Sequence, residues 1–195
     1  MREVFSHSPE SFSSPPQRLH AFPKLICLGK GEHRFVFDGF IPRVGQGMGQ
    51  QAAEPYGDDP WTAEAEGCFK ALFGDDVDVF LVPLGTGANV LGFNRMIRSW
   101  HSILCSDMAH THTSESGAVE AVVGCKMTPI PSVHGKISAG ALSAYLTDMG
   151  SPHHSQPGLV ALTQSTEVAT VYTPEEIKAI VDVAHANGLF VHMDG

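Results

Sequence analysis

Three short stretches of this 195-residue sequence carry side chains of the kinds that bind or move charge. The first is Leu84-Gly85-Thr86-Gly87-Ala88-Asn89, which follows an apolar run and opens a segment of helical pattern. Glycines let the backbone turn tightly, and the free amides of a helix N-terminus, together with the Thr86 hydroxyl, suit a phosphate. The spacing fits neither GxxxxGK[ST] nor GxGxxG, so an ordinary nucleotide loop is not expected. A glycine-rich strand-to-helix turn also serves simply to turn the chain. The second stretch is Asp107-Met108-Ala109-His110, with Glu115 following; a histidine standing alone there also reads as a structural or solvated side chain. The third is Asp194 at the end of LFVHMD. A carboxylate at the carboxyl end of a strand is placed to pair with a cationic ligand nitrogen, and by itself it reads equally as a loop cap.

Histidines raise a further chemistry, a metal-dependent hydrolase built on His110, His112 and the His153-His154 pair. Their spacing matches no zinc pattern and no cysteine lies nearby, so no metal site is expected.

The elements that must position these residues follow from periodicity. Asp59-Pro60 is a helix opening, an N-cap followed by proline at the first helical position. Ala65, Phe69, Leu72 and Phe73 then recur at helical spacing up to Gly74. Residues 77–83 (VDVFLVP), 101–106 (HSILCS), 126–130, 158–164 (GLVALTQ) and 189–194 read as strands. Residues 87–99 and 138–148 read as helices. Thr173-Pro174-Glu175-Glu176 is a capping box, with Ile177, Ile180, Val181 and Ala184 as the buried stripe behind it. Strands apolar on both faces, separated by amphipathic helices, predict an α/β domain with a mostly parallel sheet covered by helices on both faces. Ligands collect at the carboxyl ends of such strands, which selects Gly85–Asn89, Ser106–His112, Gln164–Glu167 and Asp194.

Composition narrows the partners. Apolar residues make up 43% and charged residues 17%, with a formal charge of −9. That balance fits a globular α/β protein and speaks against nonspecific nucleic-acid or membrane-surface binding. There is no apolar run near membrane-spanning length and no apolar core in the first residues to make a secretory signal. The four cysteines, Cys27, Cys68, Cys105 and Cys125, form no CxxC. Free thiols in a cytoplasmic protein are the expectation. Residues 1–34, rich in Ser, Pro and His, read as a poorly ordered leader.

Read in order, five stretches resemble one family. They are AEPYGDDPWTAEAEGCFKALFG, PLGTGANVLGFNRMI, CSDMAHTHTSESGAVE, LTQSTEVATVYTPEEI and the terminal HMDG. Together, over about residues 54–195, they look like the threonine aldolase/aromatic amino acid β-eliminating lyase family, pyridoxal 5'-phosphate (PLP) enzymes of fold type I. The resemblance implies that Gly85, Thr86 and Gly87 hold the PLP phosphate. It implies that His110 stacks on the pyridine ring and that Asp194 pairs with the protonated ring nitrogen. Glu115 and the Gln164–Glu167 segment fall near the same site, with His110 and Glu115 the catalytic candidates. The implied reaction cleaves a β-hydroxy-α-amino acid such as threonine into glycine and an aldehyde, in a homo-oligomer.

The sequence departs from that pattern in two places. Where the family has Ser-Asp-Asn/Thr, with a serine for the substrate carboxylate, this chain has Phe37-Asp38-Gly39. The family also continues past Asp-Gly into Ala-Arg, a strand bearing the cofactor lysine, and a small C-terminal domain. Lys24, Lys30, Lys70, Lys126, Lys136 and Lys178 match none of its lysine positions. The expectation is therefore a PLP-dependent transferase-like large domain over residues 35–195, cut before the lysine and inactive alone. The alternative is a non-catalytic binding or subunit-interaction module built on the same fold.

Overall fold

The computed structural model describes the backbone of residues 24–29 and 35–37, and residues 57–82 and 84–195 in full. Among these, strands β1 (Lys24–Gly29), β2 (Phe35–Phe37) and β3 (Val77–Val82) form a small sheet in the order β2-β1-β3, with β1 antiparallel to both neighbours. The second sheet holds β4 (His101–Ser106), β5 (Lys126–Ile130), β6 (Gln156–Thr163) and β7 (Phe190–Asp194). Its order is β5-β4-β6-β7 and every pairing is parallel.

Helices close both faces of the parallel sheet, and the strands show why. Residues of one strand alternate between faces. On one face Ile103, Cys105, Leu159 and Ala161 pack with Val90, Phe93 and Met96 of α2 (Gly85–Met96) and with Val119 and Val123 of α4 (Ala118–Val123). On the other, Leu104, Val160, Leu162, Val191 and Met193 pack with Leu142 of α5 (Ala139–Ala144) and with Ile180 and Ala184 of α6 (Pro174–Ala186). Phe93, Ile103, Leu104, Leu142, Leu159 and Ile180 are at most 1% exposed. Burying each such side chain stabilises the fold by about 1.5–3 kcal/mol, so this double core holds the strand ends in place.

Local chemistry starts and stops the helices where the sequence marks them. In α1 (Pro60–Phe73), Asp59 Oδ1 accepts the amides of Trp61 and Thr62 at 3.0 and 2.9 Å, and Gly74 ends the helix at φ 90°. In α6 the Thr173 hydroxyl accepts the Glu176 amide at 3.2 Å while Glu176 Oε2 accepts the Thr173 amide at 2.8 Å. That capping box satisfies two donors a helix start would otherwise leave open.

Several expectations need correction. The VDVFLVP strand joins the antiparallel sheet through β1 rather than the parallel one. Strand β1 itself falls inside the stretch read as a leader, because its short KLICLG run shows too little periodicity to stand out. The rest of residues 1–34, and Asp38-Gly39, lie outside the described residues. Helix α2 begins at Gly85 rather than Gly87, so the glycine-rich turn is already helical. The 138–148 segment is helical only over Ala139–Ala144, with Ser138 as its cap. Helices α3 (His110–Thr113) and α4 were not expected, being too short to display a period. Cys105 and Cys125 are buried free thiols and Cys68 an exposed one. Among the described residues no helix is long and apolar enough to cross a membrane.

Candidate active site

The carboxyl ends of β4, β6 and β7 open on the same side as the N-terminus of α2, and the polar residues gather there. Beyond β4 the chain turns through Asp107 and Met108 and enters α3 at His110. Beyond β6 the Gln164–Glu167 turn brings Glu167 to the same histidine. The His110 Nδ1 and its backbone N–H lie 2.9 and 2.7 Å from Glu167 Oε1. From β7, Asp194 Oδ2 stands 2.8 Å from His110 Nε2. Glu115 Oε1 is 3.7 Å from the same nitrogen, an electrostatic neighbour rather than a hydrogen-bond partner.

These carboxylates set the charge of the histidine. The Asp194 hydrogen bond raises the His110 pKa, burial opposes it, and Glu167 adds to the rise; the result is about 9. Asp194 responds in the opposite sense. Burial pushes its carboxyl up, but the hydrogen bonds from His110 and Asn89 outweigh it and hold the pKa below the ordinary range. At neutral pH the pair is therefore imidazolium and carboxylate.

Gly85, Thr86, Asn89, His110, Glu115 and Asp194 all line one cavity of about 310 Å³. Leu84, the N-cap of α2, makes no side-chain capping bond. The first amides of α2 therefore have no side-chain cap among the described residues, at the end of the helix dipole that favours anions. Gly87 lies in that first turn but outside the lining, and a Cβ there would meet nothing within 4 Å. Of the expected site residues, Gly85, Thr86, His110, Glu115 and Asp194 come together, and Gly87 does not join them at the lining.

Two residues of the constellation lie in stretches the sequence reading selected or quoted, Gly85–Asn89 and HMDG, but were given no role of their own. Asn89 and His192 are each 1% exposed and hydrogen-bonded to one another, with His192 Nε2 2.9 Å from Asn89 Oδ1. The available signals were spacing: Asn89 stands one helical turn after Gly85, and His192 shares a strand face with Asp194. His153 and His154, by contrast, line a different cavity of about 390 Å³ with Ser102 and Lys126, near the amino ends of β4 and β5. Among the described residues no group of three or more His, Cys, Asp or Glu side chains is arranged to hold a metal ion.

A doubly covered parallel sheet, with the start of α2 and the Asp194 carboxylate lining one cavity at the strand ends, defines an α/β domain. The beta-eliminating lyase model matches residues 47–195. A low specificity L-threonine aldolase of Pseudomonas aeruginosa is 41% identical over 141 residues, which cover 72% of this chain and 41% of that protein. A probable low-specificity L-threonine aldolase of Schizosaccharomyces pombe is 30% identical over 142 residues, 72% of this chain and 37% of that one. The solved structure of Leishmania major threonine aldolase superposes with a TM-score of 0.67 at 27% identity, covering 80% of this chain and 47% of that one. The chain belongs to the beta-eliminating lyase family and has the fold of its threonine aldolases. It spans about two fifths of the length of the curated relatives it matches.

Proposed function

We propose that the cavity holds PLP in a lyase of the threonine aldolase type, which cleaves a β-hydroxy-α-amino acid such as threonine to glycine and an aldehyde. One observation carries this reading: Asp194 Oδ2 already receives a cationic N–H, that of His110, at 2.8 Å in the cavity that the N-terminus of α2 opens into. The donor set suits the cofactor at both ends. Asp194, held as a carboxylate, is the partner a protonated pyridine nitrogen needs, and the free amides at Gly85–Gly87 with the Thr86 hydroxyl suit its phosphate.

When bound, PLP supplies the electron sink for the electrons of the broken Cα–Cβ bond. The residues do the rest. Asp194 keeps the ring nitrogen protonated. His110, protonated at neutral pH, offers an N–H and, on the family resemblance, a flat ring to stack against the cofactor. Glu115, a carboxylate on the cavity wall, is the candidate to accept the proton of the substrate's β-hydroxyl. Among the described residues no lysine lines the cavity, and Lys136 and Lys178 are engaged by Glu176 and Asp182. The reading for the described residues is accordingly noncovalent cofactor binding.

Equilibrium dialysis with PLP tests it. Saturable uptake by the parent chain, weakened about tenfold or more by Asp194→Asn, is the expected result, since a charge-assisted hydrogen bond is lost. No saturable uptake, or equal uptake by both proteins, overturns it.

A further inference from the structure

The best-buried polar groups of the site are Asn89, on the cavity lining, and His192, which lies outside it. Asn89 Nδ2 lies 3.0 Å from Glu115 Oε1 and 3.1 Å from Asp194 Oδ2. On the other side of the same amide, Asn89 Oδ1 lies 2.9 Å from His192 Nε2. The remaining ring nitrogen of His192, Nδ1, is buried with no hydrogen-bond partner among the described residues, and the ring centroid of Phe93 is 4.5 Å from that of His192.

The two ends of a primary amide have nearly the same shape, so only its partners fix which way round it sits. Here both amide hydrogens find a carboxylate, and the carbonyl requires a donor. A neutral imidazole has a single N–H, and burial keeps His192 neutral by pushing its pKa down to about 4. Its proton therefore sits on Nε2, facing Asn89. The reverse arrangement would set the amide carbonyl, an acceptor, against two carboxylates in a buried setting, its nearest donor being the His110 Nε2, 3.4 Å away and already given to Asp194. Unsatisfied buried groups are costly, so one proton on one ring nitrogen selects the arrangement of the whole array.

We propose that Asn89 is a positioning residue for Asp194, its amide turned the working way round by the N–H of His192. This rests on the reading of the cavity as a PLP site. Asn89 adds a second donor to Asp194 Oδ2, beside the His110 Nε2 at 2.8 Å. The carboxylate is thereby aimed from behind, from a helix and a strand that share a packed core, and it keeps its direction whichever cation meets it in front. Glu115 is tied to the same amide, so the two carboxylates are placed relative to each other as well as to the cavity.

The test compares PLP with its deaza analogue, in which the ring nitrogen is a C–H that Asp194 cannot bind. Asn89→Leu is expected to weaken PLP binding about tenfold while leaving the analogue within about twofold, because a hydrogen bond to a charged group is lost only where the ring nitrogen reports it. His192→Leu should act in the same way. His192→Gln, which offers an amide N–H near the position of Nε2, should restore most of the preference for PLP. Equal loss of both ligands, or no loss of PLP, overturns the proposal. If the parent chain takes up neither ligand, the PLP reading fails separately. Nitrogen-15 spectra of the histidines in the cofactor-free parent then decide the amide arrangement: the Nε2–H tautomer at His192 supports it, and the Nδ1–H tautomer or a mixture sinks it.

Discussion

A single oxygen of Glu167 receives both the backbone N–H of His110 at 2.7 Å and the ring Nδ1 at 2.9 Å. The turn after β6 thus holds the histidine by its main chain and its side chain together, while Asp194 holds the opposite ring nitrogen. Replacing Glu167 by Gln removes the charge but keeps an oxygen acceptor. The His110 pKa is expected to fall from about 9 toward its ordinary 6.5 without reaching it, because the Asp194 hydrogen bond is the larger cause of the rise. A titration of the imidazole by NMR reads this directly, and an unchanged value would contradict the assigned contact.

Two histidines bend the pH dependence of stability in opposite directions. The folded pKa of His110, about 9, lies above its ordinary 6.5, so its contribution is complete below 6.5 and is lost as pH rises through about 9. His192 is depressed to about 4, so its contribution is present above 6.5 and is lost as pH falls toward about 4. Urea unfolding across this range should show greatest stability near pH 6.5 and a decline on either side. His110→Gln should flatten the alkaline limb. A flat profile between 6.5 and 9 in the parent would refute the His110 geometry.

The lysines whose side chains are described, Lys70, Lys126, Lys136 and Lys178, all lie outside the lining of the Asp194 cavity. Borohydride added to the 195-residue chain with PLP is expected to fix the cofactor to no unique lysine. Peptide mass mapping checks this, and stoichiometric reduction onto one lysine is the contrary outcome.

Gly135 links the loop after β5 to the turn that carries Glu167. It has φ +76°, and a Cβ there would lie 2.9 Å from Thr166 Oγ1, 3.0 Å from Thr166 Cβ and 3.1 Å from Val168 Cγ2. Gly135→Ala meets both an unfavourable backbone conformation and a crowded neighbour, so a loss of about 1–3 kcal/mol is expected. Because the displaced atoms belong to the Glu167 turn, the His110 pKa should fall as well. Thr173→Ala, which removes the capping hydroxyl of α6 outside the cavity lining, should cost about 1 kcal/mol and leave His110 unmoved. Chemical unfolding and NMR titration of both variants separate the two effects.

Much of this was legible in the residue pattern, for reasons the structure makes plain. The capped helices α1 and α6 carry their start signals side by side in the chain, at Asp59-Pro60 and Thr173–Glu176. The buried strands β4 and β6 are apolar on both faces, which only a doubly covered sheet requires. Asp194 and His110 were singled out because strand ends and family-like motifs coincide there. Asn89, inside the selected Gly85–Asn89 turn, and His192 were given no role, since an asparagine in a helix and a histidine in a strand have no local signature. Their significance comes from a contact between chain segments more than a hundred residues apart. The pairing of VDVFLVP with KLICLG was equally hidden, because strand partners are chosen by tertiary packing rather than by either sequence alone.

Along β7, His192 and Asp194 face α2, while Val191 and Met193 face the core under α6. This division is kept by pairing Ala161 with His192 and Thr163 with Asp194 on β6. A slip of one residue would exchange the two sets, presenting Met193 to the cavity and burying the aspartate among leucines and isoleucines. The address of the chemistry is therefore stored in the alignment of two strands as much as in the identity of any residue. Deleting one residue from the turn between α6 and β7 would leave every site residue in the sequence and still erase the site.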